Sequence, residues 1–416
     1  MNRTPKSNRL HIAIFGRTNV GKSSLLNMIA GQDIAITSHI AGTTTDVVEK
    51  SMELLPIGPV VFLDTAGLDD ISDLADKRIK KTEKIFDRSE IIILVIEPNK
   101  WTDYEEKIVT KAKYKKISII IVINKIDIKK PDKTFISHIK DKVNYVISVS
   151  CMDKINRNRY INEIKNDIEK VIPEDFIKPL TIVGDLVRSG GIAILVIPID
   201  LEAPKGRLIL PQVQTIRDLL DNDATAIVVK ETGLVDILKK LEAKPDIVIG
   251  DSQVVKKMCN ETPIDLPCTT FSILFVRHKG DLIEAVKGSV YIENLKPGDK
   301  VLIAEACSHH PLADDIGRVK IPRWLEQYTG GKLDIEVYSG RDYPENINDY
   351  KLVIHCGGCM LTRKEMLNRT DIVRESNVPI TNYGVAISYL QGVLERTLSP
   401  FPSALMAYEK EMQKIR

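Results

Sequence analysis

The sequence has no long hydrophobic run. No stretch reaches the ~18–20 apolar residues that span a bilayer, so no membrane association is expected. Met1 to Asn8 is polar and lacks the apolar core of a secretion signal. An excess of one charge is also missing. The 59 basic and 57 acidic residues leave a net charge of +2, without the basic surplus of a general nucleic-acid binder, so no nucleic-acid partner is expected. Cysteine is scarce, at six in 416 residues; without a signal segment this argues against a disulfide scaffold. A cytoplasmic protein is expected, with thiols that are buried, metal-bound or catalytic. No internal repeat or low-complexity segment is found. The 43% hydrophobic and 28% charged content suits a globular chain, and its length calls for two or three domains.

Near-continuous apolar runs at Leu10–Phe15, Val60–Leu63, Ile91–Ile96, Ile117–Ile123 and Tyr145–Val149 read as strands buried on both faces. Helical periodicity at Lys22–Ala30, Asp73–Phe86 and Asn156–Val171 lies between them. The alternation predicts an α/β doubly wound domain over 1–173. Pro173 and Pro179 bracket a linker. A smaller α/β unit is expected over 180–265, with strands at Ile192–Ile199, Thr225–Val229 and Asp246–Ile249 and helices at Gln212–Leu220 and Leu234–Leu241. It carries no chemical motif, which fits docking or oligomerisation. A third α/β unit over 266–416 shows strands at Val301–Ala304, Asp334–Tyr338, Leu352–Ile354 and Pro379–Thr381. Helical patterns at Leu282–Lys287, Arg318–Tyr328, Lys364–Glu375 and Ile387–Thr397 separate them.

Gly16-Arg17-Thr18-Asn19-Val20-Gly21-Lys22-Ser23 fits GxxxxGK[ST], follows a strand and opens a helix, which is the context a P-loop requires. Its glycines let backbone N–H groups face phosphate oxygens, and the helix N-terminus adds its dipole. The phosphate contacts are expected from Gly16, Asn19, Val20, Gly21, Lys22, Ser23 and Ser24. Lys22 would neutralise the β- and γ-phosphates, and the Ser23 hydroxyl would bind Mg²⁺. Asp64-Thr65-Ala66-Gly67 ends the next strand; Asp64 can hold the Mg²⁺ shell through water and Gly67 can donate to the γ-phosphate. In Asn124-Lys125-Ile126-Asp127, the Asp127 carboxylate can accept two hydrogen bonds from the guanine edge. Adenine lacks one of those donors, so the motif selects GTP and GDP. Ser150 and Cys151 end a further strand, beside the guanine O6. Each element sits at a strand's carboxyl end, where α/β sheets build sites.

Ala41-Gly42-Thr43-Thr44-Thr45-Asp46 reads as switch I, with Thr44 the residue to close on Mg²⁺. The domain resembles GTPases of the Era and TrmE type, whose switch I usually reads GTTRD; Thr45 stands in place of that arginine. Leu68 follows the DTAG motif where a Ras-type enzyme has its water-orienting glutamine. In the resembling family a K⁺ ion supplies charge near the β–γ bridge instead. Asn19 matches the asparagine that holds it, and Ser38, Ile40 and Thr43 match the surrounding loop. The resemblance therefore implies slow, K⁺-stimulated GTP hydrolysis, with Lys22, Asn19 and Thr44 as its working residues.

Cys307-Ser308-His309 and His355-Cys356-Gly357-Gly358-Cys359 stand apart from this site. If the strands before them are parallel neighbours, three thiols and two imidazoles meet at one sheet edge. Cys-x-x-Cys lets two sulfurs reach one metal from a single turn, and Gly357 and Gly358 keep that turn tight. Three thiolates favour zinc or an iron–sulfur cluster, and one added imidazole would make a Cys₃His zinc site. A redox pair or buried thiols remain open, although a redox pair leaves Cys307 unexplained.

A GTPase followed by CxH, 45 intervening residues and HCxxC resembles the HydF family, the GTPase scaffolds of [FeFe]-hydrogenase maturation. The resemblance spans the chain and includes the run Pro379-Ile380-Thr381-Asn382-Tyr383-Gly384. It implies a GTPase domain, a middle domain forming a homodimer, and a [4Fe–4S] cluster on Cys307, Cys356 and Cys359. His309 and His355 are candidates for the fourth position or for its support. It further implies a transient diiron subcluster precursor, made with the radical-SAM maturases HydE and HydG and passed to apo-[FeFe]-hydrogenase. Two rivals are a tRNA-modification or ribosome-assembly GTPase and a GTP-regulated zinc protein. Cys151 reads as packing in the guanine loop, and Cys259 and Cys268 as structural thiols.

Overall fold

The structure, a computed structural model, describes residues 4–31, 48–65, 75–178, 180–199, 207–306, 315–340, 343–344 and 346–415. The chain divides into two compact units, Met1–Pro179 and Leu180–Arg416.

The first unit runs β1 (Leu10–Phe15), α1 (Lys22–Ala30), β2 (Val48–Leu54), β3 (Gly58–Asp64), α2 (Ala75–Arg88), β4 (Ile91–Ile96), α3 (Asp103–Tyr114), β5 (Ser118–Ile123), α4 (Lys133–Lys140), β6 (Tyr145–Ser148) and α5 (Arg157–Val171). The sheet order is β2-β3-β1-β4-β5-β6. Strand pairs β1–β3, β1–β4, β4–β5 and β5–β6 are parallel, and β2 runs antiparallel to β3. The strands β1 and β4 are buried along their whole length, because isoleucine, leucine and valine pack against helices on both faces. The expected doubly wound domain is therefore present, with β2 as an addition. Its sequence, Val48-Glu49-Lys50-Ser51-Met52-Glu53-Leu54, has the charged character of an edge strand and no apolar run to betray it. A short turn of helix, α6 (Glu174–Ile177), lies in the expected linker.

The second unit holds two four-stranded parallel sheets. The first contains β7 (Ile192–Val196), α7 (Leu210–Asp221), β8 (Thr225–Val229), α8 (Leu234–Lys240), β9 (Ile247–Gly250), α9 (Val255–Glu261) and β10 (Cys268–Thr270), in sheet order β10-β9-β7-β8. The second follows α10 (Phe271–Lys279) and α11 (Leu282–Val290). It comprises β11 (Lys300–Glu305), α12 (Ile321–Thr329), β12 (Asp334–Ser339), β13 (Leu352–His355), α13 (Arg363–Glu375), β14 (Ile380–Asn382), α14 (Tyr383–Leu390), α15 (Leu394–Thr397) and α16 (Pro402–Ile415), in sheet order β12-β11-β13-β14. One apolar core runs from Ile182 to Ala404 and serves both sheets. The break expected at 265/266 falls inside this core, because β10 pairs with β9 and extends the first sheet to Thr270. Phe271, Ile273, Leu274, Phe275 and Val276 of α10 are all buried.

Two helices differ from the sequence pattern. A π-helical turn at Ile316–Lys320 precedes α12. The expected helix Ile387–Thr397 is split into α14 and α15, with Gly392 at φ +71° between them. No helix of the described residues is long and apolar enough to cross a membrane.

Candidate functional site

The P-loop backbone takes conformations that few side chains allow. Gly16 has φ +151° and Gly21 φ +98°. A Cβ on Gly16 would strike the Val95 carbonyl, and one on Gly21 would strike the Asn124 amide. Lys22 is 93% shielded, and its Nζ donates to the carbonyls of Gly16 and Arg17 (3.1 Å to the latter). Asn19 is exposed at φ +64°. Ser23 and Ser24 are exposed on the first turn of α1, and Val20 is buried beneath the loop. Asp64 closes β3 and is buried. Beside it, Thr65 Oγ1 donates to Ile14 O at 2.6 Å and ties β3 to β1.

Asn124 joins the phosphate and guanine loops. Its Nδ2 donates to Val20 O at 2.8 Å, and its Oδ1 accepts from the Cys151 N–H at 3.2 Å. That Cys151 amide, expected to face guanine, is thus engaged with Asn124. Lys125 sits at φ +64° and donates to Glu97 Oε1 at 2.7 Å. This bond leads the effects that hold the Glu97 carboxyl below its usual range. Asp127 is exposed at the loop's end, and Ser150 is buried. Burial, with the Asp127 charge adding to it, pushes the Cys151 thiol up to about 12, in keeping with packing. Gly67 and switch I residues Ser38, Ile40, Thr43 and Thr44 lie outside the described residues.

Sequence reasoning missed the brace behind the P-loop. Arg17 Nε donates to Glu105 Oε1 at 2.6 Å, and Glu105 is fully buried. The other carboxylate oxygen accepts from Thr102 N–H at 2.8 Å and closes the capping box of α3. The pattern Thr102-x-x-Glu105 was the available signal.

At the second sheet, β11 and β13 are parallel neighbours, with Ala304 opposite His355. The condition for convergence is met by the strands themselves. Cys356 follows β13, and its Sγ accepts from the Ala306 N–H at 3.1 Å, just past β11. The Gly358 N–H also bonds this sulfur. Gly358 takes φ +58°, with Met366 where a Cβ would stand. Burial pushes the Cys356 thiol up to about 11, against the pull of those amides, and raises Cys359 likewise. A bound metal would favour the thiolate outright. Cys307 and His309 lie outside the described residues, within which no group of three or more metal-ligating side chains is found. Two soft donors on one glycine turn, with amides aimed at a sulfur, fit a zinc or iron–sulfur site.

His355 is already occupied. Its Nδ1 donates to the Cys356 carbonyl at 2.7 Å, and its Nε2 accepts from Arg369 Nε at 2.7 Å. Burial, then the Arg369 charge, lowers its pKa to about 3. It therefore supports the turn as a neutral imidazole, and its expected candidacy as a ligand has no ring nitrogen to rest on in this arrangement. Arg369 stacks 4.2 Å over the Tyr343 ring. Asn382 caps α14 through Gly384 N–H (2.8 Å), accepts from Ser272 Oγ (3.0 Å) and donates to His355 O (3.5 Å). The run Pro379–Gly384 is thus a brace under the cysteine turn. Lys279, also missed, donates to the carbonyls of Cys359 and Leu361 at 3.1 and 3.0 Å. Burial lowers its pKa to about 8. Cys259 and Cys268 face each other in the core, with sulfurs 3.7 Å apart.

The strand, glycine loop, helix and Asn124 bridge define the first unit as a P-loop GTPase domain, and residues 11–125 match the model described as a 50S ribosome-binding GTPase. Residues 182–280 match the hydrogen maturase F dimerization domain, and residues 283–400 its tetramerization domain. The chain belongs to the hydrogen maturase F family of hydrogenase-maturation GTPases. Among curated proteins it is similar to the tRNA modification GTPase MnmE of Clostridioides difficile, 33% identical over 175 residues and 39% of this chain. It is also similar to MnmE of Coxiella burnetii, 38% identical over 121 residues and 28% of this chain. The chain spans 37% and 26% of those relatives' lengths. Among solved structures, Era of Aquifex aeolicus bound to GDP.AlF4- is 28% identical, with a TM-score of 0.33, covering 39% of this chain and 56% of that one.

Proposed function

We propose that this protein is a GTP-hydrolysing scaffold that holds a [4Fe–4S] cluster and carries a diiron precursor to apo-[FeFe]-hydrogenase. The observation that carries the reading is the parallel pairing of β11 with β13. It brings the strand leading to Cys307 beside the strand leading to Cys356 and Cys359. Those three cysteines would hold the cluster, and three thiolates leave one iron for the cargo. When bound, the cluster supplies that exchangeable iron. His355, Arg369 and Lys279 hold the turn, and the amides of Ala306 and Gly358 support the Cys356 sulfur. The cargo is made by the radical-SAM maturases HydE and HydG. The middle sheet pairs two chains and the last sheet assembles pairs into tetramers, in line with the names of the matching domain models.

At the nucleotide site, Lys22 and the loop amides bind the β- and γ-phosphates. Ser23 and Thr44 hold Mg²⁺ directly, Asp64 holds it through water, Gly67 senses the γ-phosphate and Asp127 selects guanine. Asn19, with Ser38, Ile40 and Thr43, holds K⁺ in place of a catalytic glutamine. GTP hydrolysis is expected to be slow and faster in K⁺ than in equal Na⁺; equal steady-state rates in the two salts would remove the ion from the account. The whole role is tested by adding precursor-loaded protein to apo-[FeFe]-hydrogenase. Hydrogen evolution is expected with the wild type and not with Cys356→Ser. A colourless protein that binds RNA and activates nothing would favour the tRNA-modification reading instead.

A further inference from the structure

The α10–cysteine turn contact holds a charge that the GTPase chemistry does not use. Lys279 closes α10 and is 2% exposed. Its Nζ reaches the carbonyl oxygens of Cys359 and Leu361, and the ring centroid of Phe275 lies 5.8 Å away. No carboxylate pairs with it among the described residues. Glu365, which acts on it electrostatically, is committed to the Thr362 N–H (3.0 Å) in the cap of α13. A buried ammonium without an anion is costly, and although the two carbonyls and the Phe275 ring stabilise it in part, they supply no counter-charge. The cysteine turn does, once its sulfurs become thiolates around a metal. Three thiolates leave a [4Fe–4S] assembly anionic, and its one-electron reduction adds a further negative charge.

We propose that Lys279 is the buried counter-cation of the cysteine site, a positioning residue that clamps the Cys359–Leu361 turn and raises the reduction potential of the cluster. The inference rests on the cluster reading above. Removing the charge disfavours the more negative, reduced cluster, so the potential falls.

The test uses the full chain, reconstituted anaerobically with iron and sulfide, as wild type, Lys279→Gln and Lys279→Arg. Glutamine keeps amide donors for the two carbonyls and removes the charge; arginine keeps the charge. Thermal unfolding by circular dichroism and size-exclusion chromatography report folding of the unit that holds Lys279, and GTP hydrolysis reports that of the other unit. Redox titration followed by EPR is expected to show the reduced-to-oxidised ratio of Lys279→Gln lowered about tenfold or more at the wild-type midpoint. That is a shift of at least ~59 mV to lower potential for one electron, and Lys279→Arg should recover most of it. Cluster loss in Lys279→Gln alone also supports the charge role. A midpoint in Lys279→Gln equal to that of the wild type overturns it, as does cluster loss in both variants with wild-type thermal unfolding and elution. If the wild type takes up zinc and no cluster, the cluster reading fails on its own. The counter-cation is then judged by Zn²⁺ affinity: about tenfold weaker in Lys279→Gln supports it, and equal affinity overturns it.

Discussion

Asn124 uses one amide to hold two loops, with its donor on Val20 and its acceptor on Cys151. Both partners are main-chain groups of loops that must stay in register for the phosphates and guanine to bind together. Asn124→Ala removes both bonds, at about 1–3 kcal/mol. GDP affinity by calorimetry should fall roughly 10- to 100-fold, while an unchanged value would make the bridge incidental. Among the other polar groups, the half-buried His278 bears on pH. Burial, then the neighbouring Lys279 charge, lowers its pKa to about 4. A folded-state pKa below the unfolded value near 6.5 means that the unfolded chain takes the proton first. The stability is therefore full above about pH 6.5 and lost as pH falls towards about 4. Denaturant unfolding at pH 7.5 and pH 5 should show His278→Gln losing less between the two than wild type, by about 1 kcal/mol. Equal losses would contradict the assignment. The residue-level motifs of the nucleotide site were legible because each has a fixed spacing. The Glu105 capping box had a pattern, but its reach to Arg17 and that of Lys279 to the cysteine turn did not, since they depend on where distant segments meet.

At the scale of elements, the sequence pattern served best where one rule dominates. Runs such as Ile91–Ile96 and residues 119–123 are buried and mostly β-branched, and they lie in strands. The edge strand β2 was invisible because its charged residues leave no apolar run. Gly392 broke a helix that periodicity alone continued. The pairing of β11 with β13 was stated only as a condition, because strand order is a property of the whole sheet and not of either strand. The turn after β13 depends on a single backbone choice. Gly358 lies at φ +58° against Met366, so Gly358→Ala adds both backbone strain and a clash, about 1–3 kcal/mol. Iron bound per reconstituted chain should fall clearly in this variant, with GTP hydrolysis retained. Full iron occupancy would show that the turn tolerates a different path.

For the whole molecule, the sequence pattern distinguished three regions, whereas in the structure 180–416 is one compact unit whose two sheets share a core. Motifs mark chemistry, and cores follow packing, so β10 and α10 join the middle region to the one that the cysteines set apart. This arrangement assigns GTP turnover to one unit and the cysteine site to the other, and separability of the two is the central claim. It is tested most directly by reconstituting wild type and Cys356→Ser anaerobically and measuring the EPR of the reduced protein alongside GTP turnover. The account predicts a [4Fe–4S] signal in the wild type, its loss in Cys356→Ser, and GTP turnover in the variant within about twofold of wild type. A wild type that holds zinc without the signal, or a variant that loses GTP turnover as well, would contradict it.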